Sequence, residues 1–297
     1  LSQAMKQGKT VHPNPKTLRI IRDKLKQKQF LNKHKIPTSQ FIEVNSQEDI
    51  IKAGKKFGYP FLLKARTDAY DGRGNALVRT PKDIQKGMDK LKDRALYVEK
   101  YVPFVKELAV VVARSSKGEI AVYPVVETNH KDNICDTVIS PAPISEKAWK
   151  NAQRLAKKTM KQLAGAGVFG IEMFLTNRDQ VLINEIAPRV HNSGHLTIEA
   201  NVTSQFEQHI RAITDLPLGS TELIVSASVM KNILGTQHGN GFPNGIEKAL
   251  KIPGVSFHMY NKQESRPARK MGHITVVGAS INECLKKVNK ARKVISI

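Results

Sequence analysis

The sequence predicts an α+β fold that combines mixed sheets with substantial helices. Three features point to it. Charged segments carry apolar residues at helical spacing, as in KTLRIIRDKLKQKQFLNKHK (16–35). Short apolar runs such as YPFLLKAR (59–66) and QVLINEIA (180–187) sit between turn-forming residues, as strands do. The two kinds of segment alternate irregularly, with no internal repeat or low-complexity block.

Residues 16–35 place Leu18, Ile21, Leu25 and Leu31 among charges, which predicts one basic amphipathic helix stopped before Pro37. Residues 46–58 form a second helix, capped by Ser46 ahead of Glu48 and Asp49. YPFLLKAR is a short, largely buried strand, and DAYDGRGNALV is a glycine-bearing turn leading into another. A helix over 81–92 and strands over 95–101, 107–114 and 119–126 follow, then a polar loop around His130. A helix over 145–164 precedes GVFGIEMFL and QVLINEIA, two strands joined by the turn TNRDQ. Residues 202–214 are helical up to the proline of DLPL, and 221–297 hold the strands SFHMY and HITVVGA and a final basic helix. The expected divisions are a linker or remnant over 1–23, a main domain over 24–215 and a small β-rich subdomain over 216–297.

The 297 residues suffice for two or three subdomains around a hydrophobic core. With 40% hydrophobic and 25% charged residues the chain is globular. No run of about 18 apolar residues predicts a membrane span. The N-terminal LSQAMKQGKT lacks an apolar signal core, and its start on Leu1 suggests a fragment or processed chain. Cys135 and Cys284 lack metal-type spacing and read as two ordinary thiols in a reducing, cytosolic compartment. The formal charge is +22, and residues 1–36 hold ten Lys or Arg against one acid, Asp23. Such a field attracts anions. Aromatics make up only 6% and no nucleic-acid motif is present, so small anionic ligands are expected rather than nucleic acid.

The stretch LINEIAPRVHNSGH (182–195) ends a strand in a carboxylate, an arginine, two histidines and an asparagine. A hairpin centred between Arg178 and Asp179 sets Glu172 opposite Glu185, with Cβ atoms about 4.5–5.5 Å apart on one face. Like charges there need a cation between them, and magnesium accepts one or two carboxylates while leaving positions for phosphate oxygens. Spacing alone leaves open that both glutamates point to solvent or that the register slips by one. Lys64 ends an apolar strand, and DAYDGRGN offers backbone N–H groups able to close over phosphates. Neither GxxxxGK[ST] nor GxGxxG occurs, so any nucleotide is held by another scaffold.

Taken together, DK (23–24), FLLKAR (61–66), YDGRG (70–74), EKYVPFVKELAV (99–110), GIEMF (170–174) and INEIAPRVHNSGH (183–195) resemble the ATP-grasp enzymes. Within them the chain is similar to the N5-carboxyaminoimidazole ribonucleotide synthetases of purine biosynthesis, whose C-terminal signature HMYNKQESRPARKMGHI (258–274) resembles. The likeness covers about 16–280 and implies an ATP-grasp fold with a small C-terminal β-rich subdomain. It implies ATP and Mg2+ as cofactors. Lys24 and Lys64 would contact the nucleotide phosphates, with Ala69, Tyr70, Asp71, Gly72, Arg73, Gly74 and Asn75 closing over them. Glu99, Lys100 and Val102 would form the adenine hinge, Glu107 would take the ribose hydroxyls, and His130 would lie near the nucleotide. Glu172 and Glu185 would bind magnesium, with Asn184 beside them; Ala187 stands where the superfamily often has asparagine.

On the acceptor side, Tyr70, Arg73, Lys262 and Arg269 match positions that bind aminoimidazole ribonucleotide or bicarbonate. Arg189, His191 and Asn192 would line the bicarbonate and carboxyphosphate site, and Arg189, His191 and Lys262 would be the catalytic residues. The implied reaction is ATP-dependent carboxylation of the ribonucleotide with bicarbonate through carboxyphosphate. ETNHKDNICD (127–136) is similar to the fungal form, usually fused to a downstream mutase domain. Neither that domain nor the family's N-terminal α/β domain of roughly one hundred residues is represented in these 297 residues. A homodimer fits the family. The alternatives are another ATP-grasp ligase or a non-catalytic nucleotide-binding scaffold; YDGRG and RKMGH favour the carboxylating enzyme.

Overall fold

The computed structural model describes residues 1–67 and 74–297. The basic N-terminal segment forms two helices, Pro15–Arg22 and Lys24–Lys33, where the sequence predicts one. Asp23 is the cause of the break. Its backbone is extended, and its carboxylate accepts from the N–H groups of Leu25 (3.0 Å) and Lys26 (3.2 Å), capping the second helix. The Arg66 guanidinium then grips the same carboxylate, with Nη2 2.7 Å from Oδ2.

A four-stranded sheet orders Phe41–Glu43, Leu96–Lys100, Phe61–Ala65 and Asn75–Val78 side by side. The helices Gln47–Phe57 and Asp83–Lys90 cover its apolar face, and Ser46 caps the first as expected. The main sheet runs in the order Val181–Ala187, Gly167–Thr176, Phe104–Arg114, Val126–Lys131, Ile134–Ser140, Ala227–Leu234, Lys270–Gly278 and Val255–Met259. Ile120–Val122 pairs with Phe104–Arg114 off that path. The expected mixed sheets are not found: among the described residues the ladders between strands are antiparallel, and the one parallel bridge joins Thr38 to Ile183. The polar loop expected around His130 is instead a hairpin, Val126–Lys131 against Ile134–Ser140. Its two-residue turn puts Asp132 and Asn133 at φ 51° and 63°, a conformation these two residue types tolerate and hairpins favour. The strand Ala227–Leu234 is also additional to the sequence reading.

Strand alternation gives the main sheet two unlike faces. Leu108, Val110, Val112, Phe169, Ile171, Met173 and Leu175 point to one side, against Ala148, Ala152, Leu155, Ala156, Met160 and Leu163 of the helix Glu146–Leu163. The other side of the same strands carries Glu107, Gly170 and Glu172. The helix Ile281–Val294 covers the far end through Cys284, Val288 and Ala291.

Burial pushes the Asp23 carboxyl up, but Arg66 and the helix N–H groups outweigh it and hold its pKa below the ordinary value. A depressed carboxylate stabilises fully above its unfolded pKa near 4, and that stability is lost as pH falls through the lowered folded value. Asp23→Ala should therefore cost about 2 kcal/mol in urea denaturation at neutral pH. The gap from wild type should shrink steadily below about pH 4.

Candidate active site

The two carboxylates of the hairpin do face each other, though not by the symmetry the sequence suggests. Near the turn the register is Val181–Leu175 and Ile183–Met173, which continued without interruption would set Asn184 opposite Glu172. A bulge at Asn184 inserts one residue, so Glu185 pairs with Glu172 and Ile186 with Ile171. The bulge also reverses parity, which lets Val181, Ile183 and Ile186 all enter the helix-covered core while Glu185 turns to the open face. Asn184 Oδ1 is buried without a hydrogen-bond partner. Two hard carboxylates and a spare amide oxygen on one bulged hairpin fit a divalent cation such as magnesium. Among the described residues no group of three or more His, Cys, Asp or Glu could enclose a metal, so remaining ligands would come from elsewhere.

Basic side chains hold these acids. Lys24 Nζ lies 2.8 Å from Glu185 Oε2, and His191 Nε2 lies 3.3 Å from Glu172 Oε1. Burial raises the Glu172 pKa, but His191, with His130 and Lys24 behind it, outweighs this and holds it down at about 2. Glu107 Oε1 lies 3.4 Å from His130 Nδ1. Burial opposes a charged ring at His130, yet Glu107 and Glu172 keep its pKa above the ordinary value.

His191 is anchored on every side. Its N–H donates to Gln205 Oε1 (2.9 Å), its carbonyl accepts from Gln205 Nε2 (2.8 Å), and its Nδ1 pairs with Ser193 Oγ (2.7 Å). The ring packs on Gly170, where a Cβ would come within 2.3 Å of the imidazole. Arg189 is exposed at the rim, its Nη1 donating to the Val190 carbonyl at 2.9 Å.

On the four-stranded sheet, Lys64 and Glu99 share a face, and Lys64 Nζ sits 3.2 Å from Glu99 Oε2. Glu99 is 1% exposed, so its side chain serves this interior contact. The hinge segment beside it offers the exposed Lys100 and half-buried Val102; the Lys100 N–H donates to the Gln40 carbonyl at 2.8 Å. Gly74 accepts from the Ala65 N–H at 2.8 Å, and Asn75 stands opposite Lys64. Ala69, Tyr70, Asp71, Gly72 and Arg73 lie outside the described residues.

The C-terminal strands meet the 192–199 segment through three polar pairs. Asn192 and Asn232 exchange amide hydrogen bonds (3.0 and 2.7 Å), His195 stacks on His273 with centroids 5.0 Å apart, and Glu199 bonds His258. Asn232, His273 and His258 form one rung across three adjacent strands. Burial, then neighbouring positive groups, lower the pKa of His195 to about 4 and of His273 to about 2, so both rings are neutral. Tyr260 OH pairs with His273 Nδ1 at 2.9 Å, and Lys262 Nζ lies 5.8 Å from the Tyr260 ring centroid. Lys262 Nζ donates to the Lys270 carbonyl and Arg269 Nη1 to the Glu264 carbonyl, both at 2.7 Å. Burial and the cations Arg269, Lys270 and Arg266 press the Lys262 pKa down, a setting that an anion would relieve.

Sequence reasoning misses Lys28, Gln205, Asn232, His258, His273 and Tyr260. Lys28 gives a readable sign, since it falls on the inward stripe of Ile21, Leu25 and Leu31.

Residues 29–206 match the ATP-grasp domain family, and 228–287 match the phosphoribosylaminoimidazole carboxylase C-terminal domain. The fold and site thus define an ATP-grasp protein. A phosphoribosylaminoimidazole carboxylase of Schizosaccharomyces pombe is 48% identical over 286 residues, which cover 95% of this chain and 52% of that protein. The chain therefore spans about half the length of such fungal relatives. The N5-carboxyaminoimidazole ribonucleotide synthase of Synechococcus elongatus is 38% identical over 95% of this chain and 72% of its own. An Aspergillus clavatus N5-carboxyaminoimidazole synthase solved with ADP and 5-aminoimidazole ribonucleotide superposes with a TM-score of 0.91 at 39% identity, covering 99% of this chain and 78% of that one. Within the ATP-grasp proteins, the chain belongs to the N5-carboxyaminoimidazole ribonucleotide synthase family.

A Cβ on Gly170 would meet Cγ and Cβ of the anchored His191 at 2.3 and 2.5 Å, so Gly170→Ala should displace His191 and lower stability. ATP binding should change less than about twofold, while ribonucleotide-dependent turnover falls at least about tenfold, read by calorimetry and phosphate release.

Proposed function

We propose that this chain carries the ATP-dependent carboxylation of 5-aminoimidazole ribonucleotide with bicarbonate, through carboxyphosphate. The observation that carries the reading is the bulged hairpin, which sets Glu172 and Glu185 together and leads directly into Arg189 and His191. Family membership supports it. When bound, magnesium at Glu172 and Glu185, beside Asn184, would neutralise phosphate charge.

Lys24 and Lys64 bind the nucleotide phosphates, and the strand end borders the adenine through the backbone of Glu99, Lys100 and Val102, the Glu99 side chain being turned inward. Glu107 takes the ribose, with His130 beside it. A bicarbonate oxygen attacks the γ-phosphorus, ADP leaves, and carboxyphosphate forms. Arg189 suits the planar anion because its guanidinium can make paired hydrogen bonds. Carboxyphosphate then gives up phosphate, and the ribonucleotide amine bonds to the carboxyl carbon and loses a proton. His191 manages that proton at Nε2, since its Nδ1 is tied to Ser193. Lys262 and Arg269 hold the acceptor anion, and Asn192, paired to Asn232, fixes the loop between the two substrates. Tyr70 and Arg73, which lie outside the described residues, are assigned to the same acceptor site in this reading. The two unpaired, buried cysteines suit a reducing cytoplasm. A second copy and a fused or separate mutase domain are the partners this reading expects.

Phosphate release should require Mg-ATP, bicarbonate and aminoimidazole ribonucleotide together, and Glu185→Gln should reduce it at least about a hundredfold. Release that ignores the ribonucleotide would contradict the proposed acceptor, and a fully active Glu185→Gln would contradict the metal assignment.

A further inference from the structure

Beneath Lys64 lies a second ammonium group to which the reaction above gives no part. Lys28 and Glu99 are each 1% exposed and Lys64 is 5% exposed. The two oxygens of Glu99 are divided evenly. Oε1 accepts from Lys28 Nζ at 3.1 Å and from the Ser39 hydroxyl; Oε2 accepts from the Tyr97 hydroxyl at 3.0 Å and faces Lys64 Nζ at 3.2 Å. Lys28 spends its other donors on Thr38 Oγ1 and Ser39 Oγ, each at 2.9 Å, so all three of its N–H groups are placed. Among the described residues, Glu99 is the one polar partner of the Lys64 ammonium.

The cluster therefore holds two positive charges and one negative, and a buried charge without full compensation is costly. Lys28 is enclosed and saturated, so the surplus falls on Lys64, at the end of its strand beside Gly74 and Asn75. Burial pushes the Lys28 ammonium down to about 8 while Glu99 holds it up, so it keeps its proton at neutral pH.

We propose that Lys28 is a positioning residue for the nucleotide site: by claiming half of Glu99, it keeps Lys64 only partly neutralised and available to a phosphate. This rests on the reading of Lys64 as a phosphate contact. Without Lys28, the Glu99 charge is balanced by Lys64 alone and competes with the ligand for it. The polyphosphate of the nucleotide thereby completes a charge balance that the interior leaves one anion short.

The test is the Kd for Mg-ATP, by calorimetry, of wild type, Lys28→Met and the double variant Lys28→Met, Glu99→Gln. Lys28→Met should bind about tenfold more weakly, the loss expected for one weakened charge-assisted contact. The double variant should recover to within about threefold of wild type, because neutralising Glu99 releases Lys64. Lys28→Gln, which keeps donors for Thr38 and Ser39, should show the same loss and serves if the methionine variant does not fold, with Lys28→Gln, Glu99→Gln as its double. A single variant binding like wild type, or a double variant binding no better than the single, would overturn the proposal. Wild-type protein that binds no Mg-ATP would instead sink the nucleotide-site reading itself.

Discussion

A strand can send only every second side chain to the same face, and both the core and the site depend on that limit. The main sheet must bury Ile171, Met173, Val181 and Ile183 under a helix, yet present Glu172 and Glu185 together on the opposite side. An uninterrupted hairpin would satisfy the first demand and set Asn184 against Glu172. One extra residue at Asn184 meets both, and it does so at the point where the chain leaves the sheet for the Arg189–His191 loop. Site geometry here follows from how the core is packed.

Charge is handled with the same economy. Each acid of the site has a basic partner: Lys24 for Glu185, His191 for Glu172, His130 for Glu107, and the Lys28–Lys64 pair for Glu99. The exposed basic surface is a separate matter from these partners, of which His191 and Lys28 are fixed by hydrogen bonds on several sides. At the far edge the balance changes. Neutral His195 and His273 stack between the 192–199 segment and the C-terminal strands, with Glu199 bonded to His258 beside them, and together these contacts join the two parts.

Much of this was legible in the sequence because it depends on local spacing. Ser46 and Ser145 cap their helices where polar residues precede an amphipathic run, and YPFLLKAR forms the expected buried strand. The Glu172–Glu185 pair was expected too, although counting back from the turn reaches it for an incomplete reason, since a bulge leaves no mark in hydrophobic periodicity. The Asp23 break was hidden because a capping residue leaves the apolar spacing on either side of it unchanged, and Arg66, which grips the cap, lies 43 residues away. The His130 hairpin was hidden because Asp132 and Asn133 resemble loop residues until both adopt positive φ. Asn232 and His273 take their roles from partners in distant segments, and Gln205, though only 14 residues from His191, meets it through a fold of the loop that no periodicity marks.

The main sheet passes without interruption from the region of residues 29–206 into that of 228–287, joined where Ser228 to Lys231 pair with Ser140 to Thr137. This makes the two regions one mechanical body. Prising them apart would break a central ladder, whose hydrogen bonds would have no replacement in the interior. The four-stranded sheet, in contrast, shares no ladder with the main sheet: the segment before it reaches Val181–Ala187 through the parallel bridge of Thr38 with Ile183 and through Lys24 and Gln27 of the helix Lys24–Lys33, bonded to Glu185 and Ile186. The smaller sheet is thus fastened to the larger at the strand that carries Glu185, by the chain passing from Leu96–Lys100 into Phe104–Arg114 and by a few hydrogen bonds to Ile183, Glu185 and Ile186.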